Sequence, residues 1–152
     1  MAPCRSKLAP ARSSSVLALS ACFRRLRRRR PEDDAVITQE FADAFAREWI
    51  AAWNAHDVER VLSHYADDFE LTSPFIARIA GVRDGRLIGK ASVRAYWIEA
   101  LRRMPDLMFR LRGCRIGVDS IVIEYEGVGH LAAETLVFDR SGVVVRAYAN
   151  YG

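Results

Sequence analysis

The chain has 152 residues, about half of them hydrophobic, and this length allows one domain with one hydrophobic core rather than two. Its formal net charge of +4 is unevenly distributed, because residues 1–30 contain nine Lys or Arg and no acid, whereas the remainder has 14 basic and 19 acidic residues. The basic excess therefore gives no reason to expect specific nucleic-acid binding by the folded part. No apolar run approaches the roughly 20 residues of a membrane-spanning helix, so we expect no membrane span.

Residues 1–35 are basic and Ser-rich around a short apolar centre at residues 16–23. Such a segment buries too little apolar surface to order itself, which predicts a disordered tail. A targeting segment and an over-extended start are the alternatives. We expect the folded domain to occupy residues 36–152 and the protein to be cytoplasmic, unless the tail directs it elsewhere.

Three helices are predicted in the body. Apolar residues recur every three or four positions from Thr38, which predicts a long amphipathic helix that ends at Asn54-Ala55-His56. Asp57 can cap a second helix, whose apolar face is Val58, Val61, Leu62 and Tyr65. A Gly-containing loop, residues 81–89, leads to the third helix, which runs through residues 93–104 and ends before Pro105.

Alternating apolar and polar residues predict five strands. The first is Phe69–Ser73, and Pro74 ends it because proline has no N–H to donate to a ladder. The other four are Met108–Gly117, Ser120–Val128, Leu131–Phe138 and Val143–Tyr151, the last two joined by the turn Asp139–Gly142. Helices followed by an antiparallel meander predict an α+β fold, with a curved sheet wrapped onto the helices.

Three segments, in this order and spacing, resemble the nuclear transport factor 2-like superfamily and, within it, the SnoaL-like branch. They are WNAHDVERVLSHYADDFEL, IGKASVRAYWIEAL and ETLVFDRSGVVVRAYANYG, and the resemblance extends over about residues 38–152. It implies a cone-shaped α+β barrel, in which a curved, mostly antiparallel sheet and three N-terminal helices enclose a pocket. It also implies a homodimer formed through the outer face of the sheet.

The same resemblance argues against ketosteroid isomerase chemistry. Matching the motifs of those isomerases puts Ser73 at the position of their general-base Asp, Trp49 at their oxyanion-hole Tyr and Leu131 at their protonated Asp. A serine hydroxyl cannot act as that base near neutral pH, and a leucine donates nothing. The Arg-x-Asp of the epoxide hydrolases of this fold is likewise replaced, by Tyr125–Gly127.

The implied pocket is apolar and aromatic. If strand parity carries over from the isomerases, its lining includes Trp49, Trp53, Ser73, Trp97, Leu131, Thr135 and Tyr151. Such a lining suits an apolar small molecule held by a few polar groups. An aromatic stripe on a helix is also what an ordinary core contains, so the alternative is that these rings only pack.

His130 and Glu134 are the candidate catalytic pair. Four residues apart in one strand, they share a face under regular alternation, and a His beside a carboxylate is suited to proton transfer. Two polar residues on the outer face of a sheet are the alternative. The sequence has no phosphate loop and no metal-ligand cluster, so we expect no cofactor. Two functions remain open: a cofactor-independent enzyme of the isomerase or cyclase type, and a non-catalytic ligand-binding or dimerisation module.

Overall fold

A computed structural model describes residues 37–127 and 129–152. The predictions about residues 1–35 fall outside this part of the chain. Within it, four helices and six strands follow one another, with the helices concentrated in the N-terminal half. Among the described residues, no helix is both long and apolar enough to cross a membrane.

Helix α1, Gln39–Asn54, is the predicted long amphipathic helix. Thr38 caps it, because its hydroxyl accepts a hydrogen bond from the backbone N–H of Phe41 at 3.1 Å, and Glu40 lies in the first turn, where a negative charge is favourable. Its apolar face packs into the core and contacts strand β3, Phe109–Ile116. The buried residues are Ala42, Phe45, Ala46, Trp49, Ile50, Ala52 and Trp53.

Two polar residues at the end of α1 bind the chain just before and inside β3. The side chain of Asn54 donates to the carbonyl of Phe109 at 2.9 Å and accepts from the N–H of the same residue at 2.7 Å. His56, with a φ of 52°, places its Nε2 2.9 Å from the carbonyl oxygen of Leu107. The Asn54-Ala55-His56 break in the helical pattern is therefore also a connection to the sheet.

Helix α2, Val58–Leu62, is capped by Asp57 as predicted, but it is shorter than the apolar spacing indicates. That spacing predicts a helix through Tyr65, whereas Tyr65 is the first residue of strand β1, Tyr65–Thr72. The side chain of Tyr65 is buried. A buried tyrosine fits the apolar face of a helix as well as the first position of a strand, so the sequence pattern did not distinguish the two.

The segment after β1 contains two elements where the sequence predicts a loop. Helix α3, Pro74–Ala80, begins at the Ser-Pro corner, with Ser73 as its N-cap and Pro74 at its first turn. Strand β2, Arg86–Ile88, then pairs with β1. Proline ends a strand but is also favoured at the first position of a helix, and the prediction took only the first property into account. Helix α4, Lys90–Arg103, follows.

The last four strands form an antiparallel meander: β3, Phe109–Ile116; β4, Ser120–Gly127; β5, His130–Phe138; and β6, Val144–Tyr151. Strand β1 joins it in parallel beside β6, which gives the order β2-β1-β6-β5-β4-β3. The predicted α+β class with a curved, mostly antiparallel sheet is confirmed. The sheet is not closed, since β2 and β3 are its edges.

The two faces of the meander differ in chemistry. One face packs on the helices and carries buried residues such as Ile121, Ile123, Tyr125 and Leu136. The opposite face carries ion pairs between β3 and β4, including Arg115 with Glu124 at 2.9 Å. Glu124 and Glu126 therefore belong to the outer surface of the sheet, and Tyr125 between them points toward the helices.

Candidate functional site

A cavity of about 340 Å³ lies between the helices and the inner face of the sheet. Its wall is mainly apolar, and eight of its residues are aromatic. All three tryptophans of the chain contribute to it, from α1 and α4. The lining residues are Trp49, Trp53, Leu71, Ser73, Phe75, Ile79, Tyr96, Trp97, Ala100, Met104, Leu107, Phe109, Tyr125, Gly127, His130, Ala132, Glu134, Ala149, Tyr151 and Gly152.

Small residues on the central strands provide the space. Ala132 in β5 is paired with Tyr125 on one side and Tyr151 on the other, and Ala149 in β6 is paired with Glu134. A methyl group at Ala132 and at Ala149 fills little of the volume above the sheet, so the long side chains beside them border a cavity instead of meeting a packed layer. The cavity is thus a consequence of alanines placed among tyrosines.

Glu134 is the buried carboxyl in this wall. It is 5% exposed, and no Lys or Arg lines the cavity among residues 37–127 and 129–152. Burial disfavours the charged form and raises the pKa of the carboxyl to about 8, although a hydrogen bond from the Tyr125 hydroxyl acts in the opposite direction. Near neutral pH this group can therefore both hold and release a proton.

Four of the five tyrosines of the chain surround this carboxyl. Burial raises the pKa of Tyr65, Tyr96, Tyr125 and Tyr151, and a negative charge on Glu134 raises each of them further. The four phenols come from β1, α4, β4 and β6. Those of Tyr96, Tyr125 and Tyr151 line the cavity with Glu134, whereas the Tyr65 hydroxyl accepts the indole N–H of Trp49. They can donate hydrogen bonds without adding charge.

His130 lines the same cavity but does not contact Glu134. Both side chains lie on the inner face, as regular alternation predicts, yet four residues of extended strand separate their Cα atoms by about 13 Å. The two candidate residues therefore share the cavity without direct contact, and their part in catalysis stays a prediction. His130 is exposed and lies next to Tyr151 and Gly152 at the ends of β5 and β6, which marks this end as the mouth of the cavity.

Ser73 is buried in the cavity wall, where it has a structural role. Its hydroxyl accepts from the backbone N–H of Phe75 at 3.2 Å, and the Tyr96 hydroxyl lies 3.5 Å away. Its backbone N–H donates to Gly85, whose φ of 67° and close approach to the Ser73 carbonyl oxygen both favour glycine. The corner between β1 and α3 thus holds this hydroxyl in place as a helix cap.

The aromatic residues from the helices form one packed group around the cavity. Trp49 is almost fully buried and donates its indole N–H to the Tyr65 hydroxyl at 2.9 Å. Trp53 meets Trp97 edge to face at 5.0 Å between ring centres. These three predicted lining residues therefore combine the two roles that the sequence could not separate, because they pack on one another and also border the cavity.

Two predicted lining residues, Leu131 and Thr135, are not in the wall. Leu131 is 63% exposed on the outer face of the sheet, and Thr135 points the same way. Their placement was wrong because the strand parity was transferred from the isomerases. A shift of one residue moves every side chain of a strand to the opposite face. Here Ala132 pairs with the inward-pointing Tyr125, so the even-numbered residues of β5 lie on the inner face.

The sequence reasoning missed Tyr125 and Ala132 as wall residues. The signal for Tyr125 was present, because Ile121, Ile123 and Tyr125 form the apolar half of an alternating strand, and that half must face the core. Ala132 is a small residue without a distinctive chemical group, and only its position between two tyrosines shows its role.

The comparisons with known proteins agree on one family. The sequence model of the SnoaL-like domain matches residues 46–150. A crystal structure of a SnoaL-like protein of unknown function from Burkholderia thailandensis is 54% identical, with a TM-score of 0.74, over 77% of this chain and 98% of the other. No curated protein matches the sequence.

More distant structures share the fold alone. A candidate isomerase of the SnoaL-like family from Agrobacterium tumefaciens is 15% identical, with a TM-score of 0.60, over 73% of this chain and 97% of the other. The epoxide hydrolase/cyclase-like enzyme SalBIII, described for pyran ring formation in the polyether salinomycin, is 12% identical, with a TM-score of 0.59, over 75% and 92%.

Proposed function

We propose, from the premise that the chain belongs to the SnoaL-like domain family, that it is a cofactor-independent enzyme of the isomerase or cyclase type. It binds an apolar small molecule in the cavity and exchanges a proton with it through Glu134. The observation that carries this proposal is a carboxyl that is 5% exposed, lines an aromatic cavity and has its pKa raised to about 8. Such a group is available as acid and as base near neutral pH, which is where general acid–base catalysis is most efficient.

The neighbouring hydroxyls support the same chemistry. When a proton leaves a carbon atom of the ligand, negative charge develops on the ligand, and the phenols of Tyr125, Tyr96 and Tyr151 can donate hydrogen bonds to it. Their raised pKa values keep them protonated, so they remain donors throughout. In this scheme His130 contacts the ligand at the mouth and does not act on Glu134 directly.

The second candidate is a ligand-binding module without catalysis. It is favoured by Ser73, which occupies the position of the base of the related isomerases and is used as a helix cap. The family resemblance implies a homodimer through the outer face of the sheet, and this dimer is compatible with both candidate functions.

Hydrogen–deuterium exchange distinguishes the two candidates without knowledge of the full reaction. A panel of cyclic ketones is incubated in D₂O with the protein, and the loss of the proton next to the carbonyl is followed by NMR. An enzyme that transfers protons through Glu134 accelerates exchange for at least one ketone, and Glu134→Gln lowers that rate by about 10²-fold or more.

Glu124→Gln is the matched control, since this carboxylate lies on the outer face and pairs with Arg115. It should leave the exchange rate unchanged. Binding of a ketone without any accelerated exchange would favour the non-catalytic module, and exchange that survives Glu134→Gln would move the chemistry to another residue.

A further inference from the structure

The buried carboxyl of Glu134 has no counter-ion. Buried carboxylates in proteins are usually paired with a cation or bound to a metal. Among residues 37–127 and 129–152, Glu134 forms no ion pair and the cavity has no basic side chain except His130, which lies about 13 Å along the strand. The other titratable groups that face it are the phenols of Tyr65, Tyr96, Tyr125 and Tyr151, and all of these are neutral.

Aromatic rings line the same cavity as this carboxyl. Tyr125 packs at 4.5 Å from Phe109 and at 5.6 Å from Trp49, measured between ring centres. Further along the wall, Trp53 and Trp97 form another close pair. The face of an aromatic ring carries partial negative charge and attracts cations, and tryptophan does so most strongly. The rings and the carboxyl therefore favour the same sign of charge in a ligand.

We propose that the natural ligand of this cavity is an organic cation, namely an amine that is protonated at neutral pH and attached to an apolar ring system, with its nitrogen against Glu134. This inference rests on the proposed function, because it uses the same cavity and the same carboxyl, and it restricts the apolar ligand proposed there to one that also carries an ammonium group. The apolar body lies among the tryptophans, and the ammonium group supplies the positive charge that the described wall lacks.

Neutral and anionic ligands fit the site less well. An anion would face the Glu134 carboxyl, and among the described residues that line the cavity no basic side chain except His130 could balance its charge. A neutral carbonyl can accept a hydrogen bond from Tyr125 or from protonated Glu134, but a charge-assisted bond is about twice as strong as a neutral one. The ammonium also gains the attraction of the ring faces, which is largest when water is excluded.

The proposal predicts a proton balance. The amine enters as the ammonium ion, and pairing with it ionises Glu134, whose proton leaves to the buffer. With the carboxyl pKa raised to about 8, about 0.9 proton should be released for each amine bound at pH 7. A neutral ligand releases none. This readout requires no substitution, and it is independent of whether a variant folds.

Three compounds with the same adamantane body test the proposal: 1-adamantylmethylamine, 1-adamantanemethanol and 1-adamantanecarboxylate. Each is titrated into the full chain at pH 7 by calorimetry in buffers of different ionisation enthalpy. Fluorescence of the three cavity tryptophans is a second signal, because these compounds do not fluoresce. The amine should bind at least tenfold more tightly than the alcohol and release about 0.9 proton, and the carboxylate should not bind.

Two variants test whether Glu134 causes the preference for the amine over the alcohol. In Glu134→Gln the amine should bind no more tightly than the alcohol and release no proton, whereas the control Glu124→Gln should behave as the unmodified chain. Equal or tighter binding of the alcohol by the unmodified chain, or a preference for the amine that survives Glu134→Gln, would overturn the inference and leave the proposed function intact. Failure of all three compounds to bind would count against both.

Discussion

Tyr125 and Glu134 are diagonal neighbours across the ladder between β4 and β5, and the tyrosine hydroxyl is the hydrogen-bond donor that lowers the pKa of the buried carboxyl. Ala132 lies opposite Tyr125, so no larger side chain stands between the two. The hydrogen bond favours the charged form of Glu134 and burial favours the neutral form. The protonation of the site is set by the balance of these two effects, and each can be changed by one substitution.

The stability of the domain should depend on the protonation of Glu134. Its pKa is raised from 4.5 to about 8 on folding, so between these values the folded chain binds more protons than the unfolded chain. The free energy of unfolding therefore falls as the pH rises from about 4.5 to 8, by on the order of 5 kcal/mol for this group. Below pH 4.5 and above pH 8 the group contributes no further slope.

Glu134→Gln isolates this contribution from that of the other carboxylates. The free energy of unfolding of the variant and of the unmodified chain is measured in urea at pH 5, 6.5 and 8. The value for the variant minus that for the unmodified chain should increase steadily with pH. Exposed carboxylates such as Glu99, whose pKa is lowered to about 2 by Arg102 and Arg103, titrate in both proteins and cancel. A difference that is constant with pH would mean that Glu134 is ionised in the folded state.

Tyr125→Phe should raise the pKa of Glu134 further. The substitution removes only the hydroxyl, whose hydrogen bond to the carboxyl lowers that pKa, and keeps the ring that packs on Phe109 and Trp49. The titration of the carboxyl carbon, observed by NMR in chain labelled at glutamate, should move to higher pH. Tyr148→Phe, on the outer face, is the control and should leave the titration in place. If the pKa of Glu134 were unchanged or lowered in Tyr125→Phe, the Tyr125 hydroxyl would not be the group that stabilises the charged carboxylate.

The sequence predicted the layers of the fold better than it predicted the faces of its strands. Periodicity located α1, α4 and the meander, because long runs of apolar residues at fixed spacing allow few alternatives. The prediction of the residues that line the cavity depended on which face of each strand points inward. Predicting that Leu131 points inward placed Glu134 on the opposite face. The pairing of β5 with β4, in which Ala132 lies opposite the inward-pointing Tyr125, decides which face of β5 lines the cavity. This pairing register is not visible in the sequence of one strand.

A homodimer through the outer face of the sheet is expected. Leu131 is 63% exposed there and borders a shallow depression with Arg112, Glu124 and Asn150. Burying this residue in a partner removes apolar surface from water, and the surrounding charges can form the polar rim of an interface. Light scattering should give twice the chain mass of 17.1 kDa, and Leu131→Glu should shift it toward the single-chain value. A single-chain mass for the unmodified protein at tens of micromolar would contradict this prediction.

The connection from α1 to β3 through Asn54 should stabilise the domain and keep the cavity in shape. Asn54→Ala leaves both the N–H and the carbonyl of Phe109 without the side-chain partner that each has at 2.7 and 2.9 Å. Unsatisfied backbone groups in a partly buried position cost roughly 1–3 kcal/mol each, and two groups are affected, so we expect a loss of at least about 2 kcal/mol in the free energy of unfolding. Phe109 lines the cavity, and its displacement should also weaken binding of the adamantane amine.

Gln39→Ala is the matched control for this substitution, because Gln39 lies on the same helix and donates to the carbonyl of Cys114 in the same strand at 3.3 Å, but at an exposed site. Water can replace that hydrogen bond, so the cost should stay within about 0.5 kcal/mol. Urea unfolding and calorimetric titration of both variants provide the comparison. If Asn54→Ala were as mild as Gln39→Ala in both measurements, the Asn54 side chain would have no part in positioning Phe109, and the aromatic packing with Trp49, Trp53 and Tyr125 would hold that ring.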